Sequence, residues 1–186
     1  MEERGNVMEE QVFELMQAAR RQEELSVVLG MNQKTQQFGL VLKEDDVKEL
    51  VKTHQESLKL HRRFEWGAGI LEKLIFVFCD SQYLDQQNYL KSLERLQDIF
   101  YKFKNASLDR MSDDEILTFM REQFEGICAG SLDYLEDTCL TIYTDAIRNG
   151  YDGFIDSMGS GDYEKFDEEK RWDSELYMEV VKELFW

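Results

Sequence analysis

The 186-residue chain contains no proline, where an average composition would supply roughly nine. Proline breaks helix interiors because it lacks a backbone N–H and its ring collides with the carbonyl four residues earlier. Its absence leaves helix termination to glycine and capping side chains. Positive charge is scarce as well: 22 lysines and arginines stand against 39 acidic residues, a formal net charge of −17. The excess of acid lies mainly in the second half of the chain. Binding to phosphate backbones or anionic lipid depends on basic side chains displacing counterions. Direct nucleic-acid and membrane-surface binding are therefore disfavoured.

Long apolar runs are also missing, none approaching the ~18 residues of a membrane span. The start, Met1-Glu-Glu-Arg-Gly-Asn, lacks the basic region and apolar core of a secretory signal. The expectation is a soluble, cytoplasmic protein. The three cysteines, Cys79, Cys128 and Cys139, suit a reducing compartment in which thiols need no pairing. Cys128 and Cys139 have no close-spaced cysteine or histidine to complete a zinc site, and read as small buried hydrophobes.

What the chain does contain is helical periodicity. Met8, Val12, Leu15, Ala19 and Gln22 recur at steps of three and four, predicting a helix over 7–29 that closes at Gly30. A short turn over 32–38 ends at Gly39. The triplet Leu40-Val41-Leu42 leads into the acidic first turn of a helix over about 44–62, with Val47, Val51, His54, Leu58 and His61 on one stripe. Gly67 and Gly69 mark a turn with close backbone approach. Residues 70–79, apolar on nearly every side, predict a central helix buried all round. Tyr89, Leu93, Leu96, Phe100 and Phe103 predict a helix over 86–104, and Ser112-Asp-Asp-Glu115 is a capping box. Ile116, Met120 and Phe124 form the face of the helix it starts. Ser131 caps a further helix to Asn149, with Leu132, Leu135, Cys139, Ile142 and Ala146 inward. The fold class is thus all-α, a single domain of about six helices with a helical body over 7–149. An acidic, glycine- and aromatic-rich loop over 150–172 follows, then a C-terminal helix over 173–186.

Candidate chemistry is sparse. His54 and His61 are the only histidines. With Glu65 they offer a conceivable metal or acid–base group, although two helical turns, about 10 Å, separate the two imidazoles. The segment Asp156–Asp167 has the first acid and the central glycine of a calcium loop, but Met158 and Asp167 occupy positions that need other ligands. Gly67-Ala-Gly69 and Gly159-Ser-Gly161 lack the flanking residues of phosphate-binding loops. No catalytic set, cofactor or metal is predicted. The expectation is a non-catalytic adaptor or regulator meeting a protein partner through its acidic half and the aromatics Trp172, Tyr177, Phe185 and Trp186. The alternatives are an acidic mimic of DNA occupying a basic groove, and an enzyme or metalloprotein built on His54, His61 and Glu65.

The segments Phe38-Gly-Leu-Val-Leu42, Phe64-Glu-Trp-Gly-Ala-Gly-Ile70, Phe78-Cys-Asp-Ser-Gln-Tyr83, Leu96-Gln-Asp-Ile-Phe-Tyr101, Ser131-Leu-Asp-Tyr-Leu135 and Arg171-Trp-Asp-Ser-Glu-Leu-Tyr177 carry a resemblance. With them the chain resembles an uncharacterised family of small proteins from Firmicutes bacteria, known only as a domain of unknown function. The resemblance implies a bacterial cytosolic setting and no activity, cofactor or site residue. Lys43 departs from it, standing where such sequences tend to place a Thr or Ser helix cap.

Overall fold

A computed structural model describes residues 2–65 and 68–149 of the chain. The described residues are all-α, as their periodicity predicts, with no strand among them. The loop and C-terminal helix expected over 150–186, with Trp172, Tyr177, Phe185 and Trp186, lie outside the described residues. The helices are α1 (Glu2–Gly30), α2 (Asn32–Thr35), α3 (Glu44–Leu60), α4 (Gly69–Phe78), α5 (Tyr89–Ala106), α6 (Asp113–Glu125), α7 (Leu132–Tyr134) and α8 (Leu140–Arg148). A 3-10 turn over Gln36–Phe38 follows α2, and a π turn over Leu135–Cys139 joins α7 to α8.

The chain gathers into two compact units. Among the described residues, the first takes those up to Asp80 with Leu84–Gln97, the second Ser81–Tyr83 with residues 98–149. In the first unit α1 packs on α3, and both α1 and α2 pack on α4. Among the α1 residues whose burial is described, Glu24 and Val28 are buried, followed by Met31 after the helix. This corrects the stripe expected from periodicity, because Leu15, Ala19 and Gln22 on that stripe are exposed.

The apolar triplet after Gly39 is extended and alternates, with Leu40 and Leu42 buried and Val41 facing out. Among the described residues no strand pairs with it. Instead the Asn32 amide brackets Leu42, donating to its carbonyl (2.8 Å) and accepting from its N–H (2.9 Å). The Gln86 amide does the same for Val41 (2.8 and 2.7 Å). Two side chains thus supply the ladder that buried or edge backbone requires. At the start of α3 the Lys43 N–H donates to the Asp46 carboxylate at 2.8 Å. That is half of a capping box, the other half being lost because lysine offers no acceptor.

Helix α4 buries Ile70, Leu71, Leu74, Ile75 and Phe78, yet its opposite side is open. Phe76 is 60% exposed, with the Lys34 ammonium 5.0 Å from its ring centroid. The expected all-round burial is therefore corrected to an amphipathic helix. Helix α5 is the more deeply buried one: Tyr89, Leu93, Leu96, Gln97, Ile99, Phe100, Tyr101 and Phe103 are all inside.

In the second unit the Ser112 box forms as predicted. The Ser112 N–H donates to the Glu115 carboxylate at 2.7 Å, and the Glu115 N–H donates back to the serine oxygen at 3.3 Å. Lys104 fastens the preceding loop, donating to the Met111 carbonyl at 2.7 Å and pairing with Asp113 at 3.0 Å. Ser131 accepts from the Tyr134 N–H at 3.2 Å. The rings of Phe103, Phe119 and Tyr143 form a mutually contacting trio. Gly130 sits at φ +82°, and a Cβ there would collide with the Tyr83 ring, so the position accepts only glycine. Helix α8 departs from the sequence stripe. After the π turn the buried positions are Tyr143, Ala146 and Ile147, while Ile142 is only half-buried. A π turn accommodates one extra residue and so rotates the following face.

Candidate functional site

The first unit contains a continuous polar network that begins at an exposed edge and ends in the core. Gln55 on α3 donates to the buried Glu24 carboxylate at 3.0 Å. Arg20, one turn earlier on α1, pairs with the same carboxylate through Nε at 3.1 Å. A second guanidinium nitrogen of Arg20 donates to the Glu65 carbonyl. The Glu65 carboxylate accepts from the Ile70 N–H at 2.8 Å, covering the N-terminus of α4 where a negative charge meets the helix dipole favourably. The same Oε2 lies 3.6 Å from Nε2 of His54. On the far side of that ring, Nδ1 meets the Gln97 Oε1 of α5 at 3.1 Å.

Local geometry explains how Glu65 returns to His54. Helix α3 ends at Leu60, and Arg62 takes a left-handed conformation at φ 54°. The Arg63 N–H then donates to the Leu58 carbonyl at 2.8 Å. This helix stop normally uses glycine at the left-handed position. The chain then doubles back past Phe64 to Glu65. Gly69, at φ +49°, leaves space that the Glu65 carboxylate fills, and a Cβ there would overlap it. The close approach expected near Gly67 and Gly69 is thus found at Gly69.

His54 and Glu65 are brought together. His61 is not part of the pair: it lies beyond the end of α3 and is half-buried there. Among the described residues no group of three or more His, Cys, Asp or Glu could hold a metal ion. His54 is almost wholly buried, and a general base must come within hydrogen-bond reach of the proton it takes. Its ring bridges two elements of the fold. With its hydrogen on Nδ1 the ring donates to the Gln97 oxygen, and Nε2 faces the Glu65 carboxylate at 3.6 Å, beyond hydrogen-bond distance.

The network also presents something outward. Phe64, between the stop of α3 and Glu65, is 66% exposed, and the Arg20 guanidinium carbon lies 4.7 Å from its ring centroid. Met16, one turn before Arg20 on α1, is 67% exposed, with Leu15 beside it at 69%. The surface feature is therefore an aromatic ring and a stacked guanidinium, with bare aliphatic side chains on the adjoining helix. The ion pairs and hydrogen bonds beneath hold Arg20 and the Phe64–Glu65 backbone in place.

Sequence reasoning missed Gln97 and Arg20. A signal existed for Gln97, since it stands four residues after Leu93 and three before Phe100, a polar side chain on an otherwise apolar stripe. For Arg20 the i,i+4 spacing to Glu24 was a signal of their ion pair, but its contact with Glu65, 45 residues away, left none.

No curated protein and no solved structure matches the chain. Residues 27–153 match a family of unknown function (DUF6323).

Proposed function

The chain belongs to this family of unknown function, which lends it no activity, and we propose that it is a non-catalytic adaptor or regulatory protein that grips a protein partner. The observation that carries this reading is the Arg20–Phe64 pair, an exposed ring under a guanidinium that is fixed from below. Arginine and aromatic residues dominate interface energetics, and anchors already held in place lose less freedom on binding. The acidic excess lies mainly in the second half of the chain, so the partner's basic residues are assigned to that half and an apolar pocket to the Phe64 ring. The C-terminal aromatics Trp172, Tyr177, Phe185 and Trp186 are assigned to a second contact with the same partner. The setting is cytoplasmic, with no direct contact to nucleic acid or membrane. In support, no helix of the described residues is long and apolar enough to cross a bilayer.

The test is affinity capture with the full-length chain, its Phe64→Asp variant and a Trp172→Ala/Trp186→Ala variant, followed by reconstitution with the purified captured protein. The reading predicts one partner that both variants lose, that rebinds the wild type in purified form, and that dissociates at high salt. Equal recovery by all three baits contradicts it. Displacement of the partner by added duplex DNA would turn the reading to a mimic of DNA.

A further inference from the structure

Two thiols that the sequence spaces eleven residues apart meet in the second unit. The sulfurs of Cys128 and Cys139 are 3.5 Å apart, in hydrogen-bond contact, and both side chains are buried. Two separate pieces of backbone engineering bring them there. Cys128 sits in the tight turn after α6. Its N–H donates to the Gln123 carbonyl at 3.0 Å and its carbonyl accepts from Ser131 at 2.8 Å. Ala129 and Gly130 complete that turn in left-handed conformations, φ 45° and 82°. Cys139 is the last residue of the π turn, and turns of that kind occur frequently at functional sites. An uninterrupted α-helix would rotate it by about 100° relative to the residues before it.

We propose that Cys128 and Cys139 form a dithiol modification site that a small hydroperoxide converts to an intramolecular disulfide. The Cys139 thiolate attacks one peroxide oxygen, the O–O bond breaks, and water leaves after taking up a proton. Cys139 is then a sulfenic acid. The Cys128 sulfur attacks the Cys139 sulfur, its own proton departs, and the S–OH bond breaks to release a second water. Two thiols and one hydrogen peroxide give one disulfide and two waters, with two electrons passing from sulfur to peroxide.

Either thiol can donate in the contact, and the roles depend on which one does. With Cys128 donating, the bond holds Cys139 below the usual thiol range, while that bond and burial push Cys128 up. The thiolate is the nucleophilic form, which makes Cys139 the attacking residue and Cys128 the resolving one. Burial of both sulfurs favours an oxidant about the size of water over a bulky disulfide. Closure to the S–S length of about 2.05 Å requires a short approach, and the π turn and the Ala129–Gly130 turn flank the two sulfurs. Cys79 belongs to the first unit, where its thiol donates to the Phe76 carbonyl at 3.3 Å. It takes no part.

The experiment treats the full-length protein with hydrogen peroxide, blocks remaining thiols by alkylation, and reads intact mass and peptide maps. The expected result is loss of two hydrogens, a Cys128–Cys139 linked peptide pair, an alkylated Cys79, and reversal by dithiothreitol. Cys79→Ser behaves as the wild type, and in Cys128→Ser the Cys139 thiol adds oxygen and forms no link. In urea the selectivity is lost and links to Cys79 appear. Full alkylation of all three thiols after peroxide would overturn the proposal. So would oxidation of Cys79 ahead of the pair, or the same mixture of links in folded and unfolded protein. If Cys128→Ser does not fold, the wild type and Cys79→Ser decide between these outcomes.

Discussion

The Glu65 carboxylate lies 3.6 Å from Nε2 of His54 while accepting the Ile70 N–H at 2.8 Å. One side chain thereby ties the core of α3 to the first turn of α4 and fixes the loop that displays Phe64. Replacing His54 by Ala leaves Gln97 and Glu65 facing a cavity. The expected cost is about 2–4 kcal/mol, measured as a shift in the urea midpoint of helical circular dichroism. Glu65→Gln keeps an acceptor for Ile70, and the expected loss is about 1 kcal/mol.

Arg62 holds a left-handed conformation that costs a non-glycine residue roughly 1 kcal/mol. Its side chain is exposed. Arg62→Gly is expected to raise the urea midpoint, since the strain is relieved and a glycine fits the helix stop. A lower midpoint would show that the arginine side chain contributes more than its backbone costs.

The capping box of α6 predicts a pH-dependent cost. Hydrogen bonds from the Ser112 side chain and backbone hold the Glu115 carboxyl below its usual value of 4.5. A depressed carboxyl contributes stability above its unfolded value and loses it as the pH falls through the folded one. Ser112→Ala is expected to cost about 1 kcal/mol at neutral pH. The difference from wild type should shrink below the usual carboxylate range, as parallel urea titrations across that window would reveal.

Tyr143 is buried in the aromatic trio, and burial pushes its phenol up to about 12. Burial pushes Tyr89 up as well. A folded-state value above the unfolded one gives stability that is whole below about 10 and is lost as the pH rises through the folded value. Tyrosinate absorbance should therefore rise in two stages. The later stage, that of Tyr143 and Tyr89, should coincide with the loss of helical signal. Tyr143→Phe should move that unfolding to higher pH.

How much of this could be read in advance depended on range. The Ser112 box, the Ser131 cap and the Gly39 stop are local events, decided within four residues, and the sequence displays them directly. Of the expected stripe, Val47, Val51, His54 and Leu58 are buried, while His61 lies past the helix end and is only half-buried. Helix α4 misled because apolar content does not tell which face a neighbour covers, and Phe76 turned outward. The α1 stripe misled similarly, since the helix buries Glu24 and Val28 and satisfies the glutamate with Arg20 and Gln55. The sequence offered His54, His61 and Glu65 as one group, but not the left-handed turn at Arg62 that returns Glu65 to His54 and leaves His61 aside. Cys128 and Cys139 are buried, as two small hydrophobes would be, but their approach to 3.5 Å was not legible, since it depends on the turn that follows α6.

The central claim, that the chain works by seating a protein partner on the Arg20–Phe64 surface, is tested most directly by a photo-crosslinking phenylalanine placed at position 64 in living cells. Position 52, an exposed lysine on α3, serves as the control. The account predicts one discrete adduct from position 64, absent from position 52 and lost when Arg20→Glu is added. No adduct from position 64, or the same smear from both positions, would contradict it.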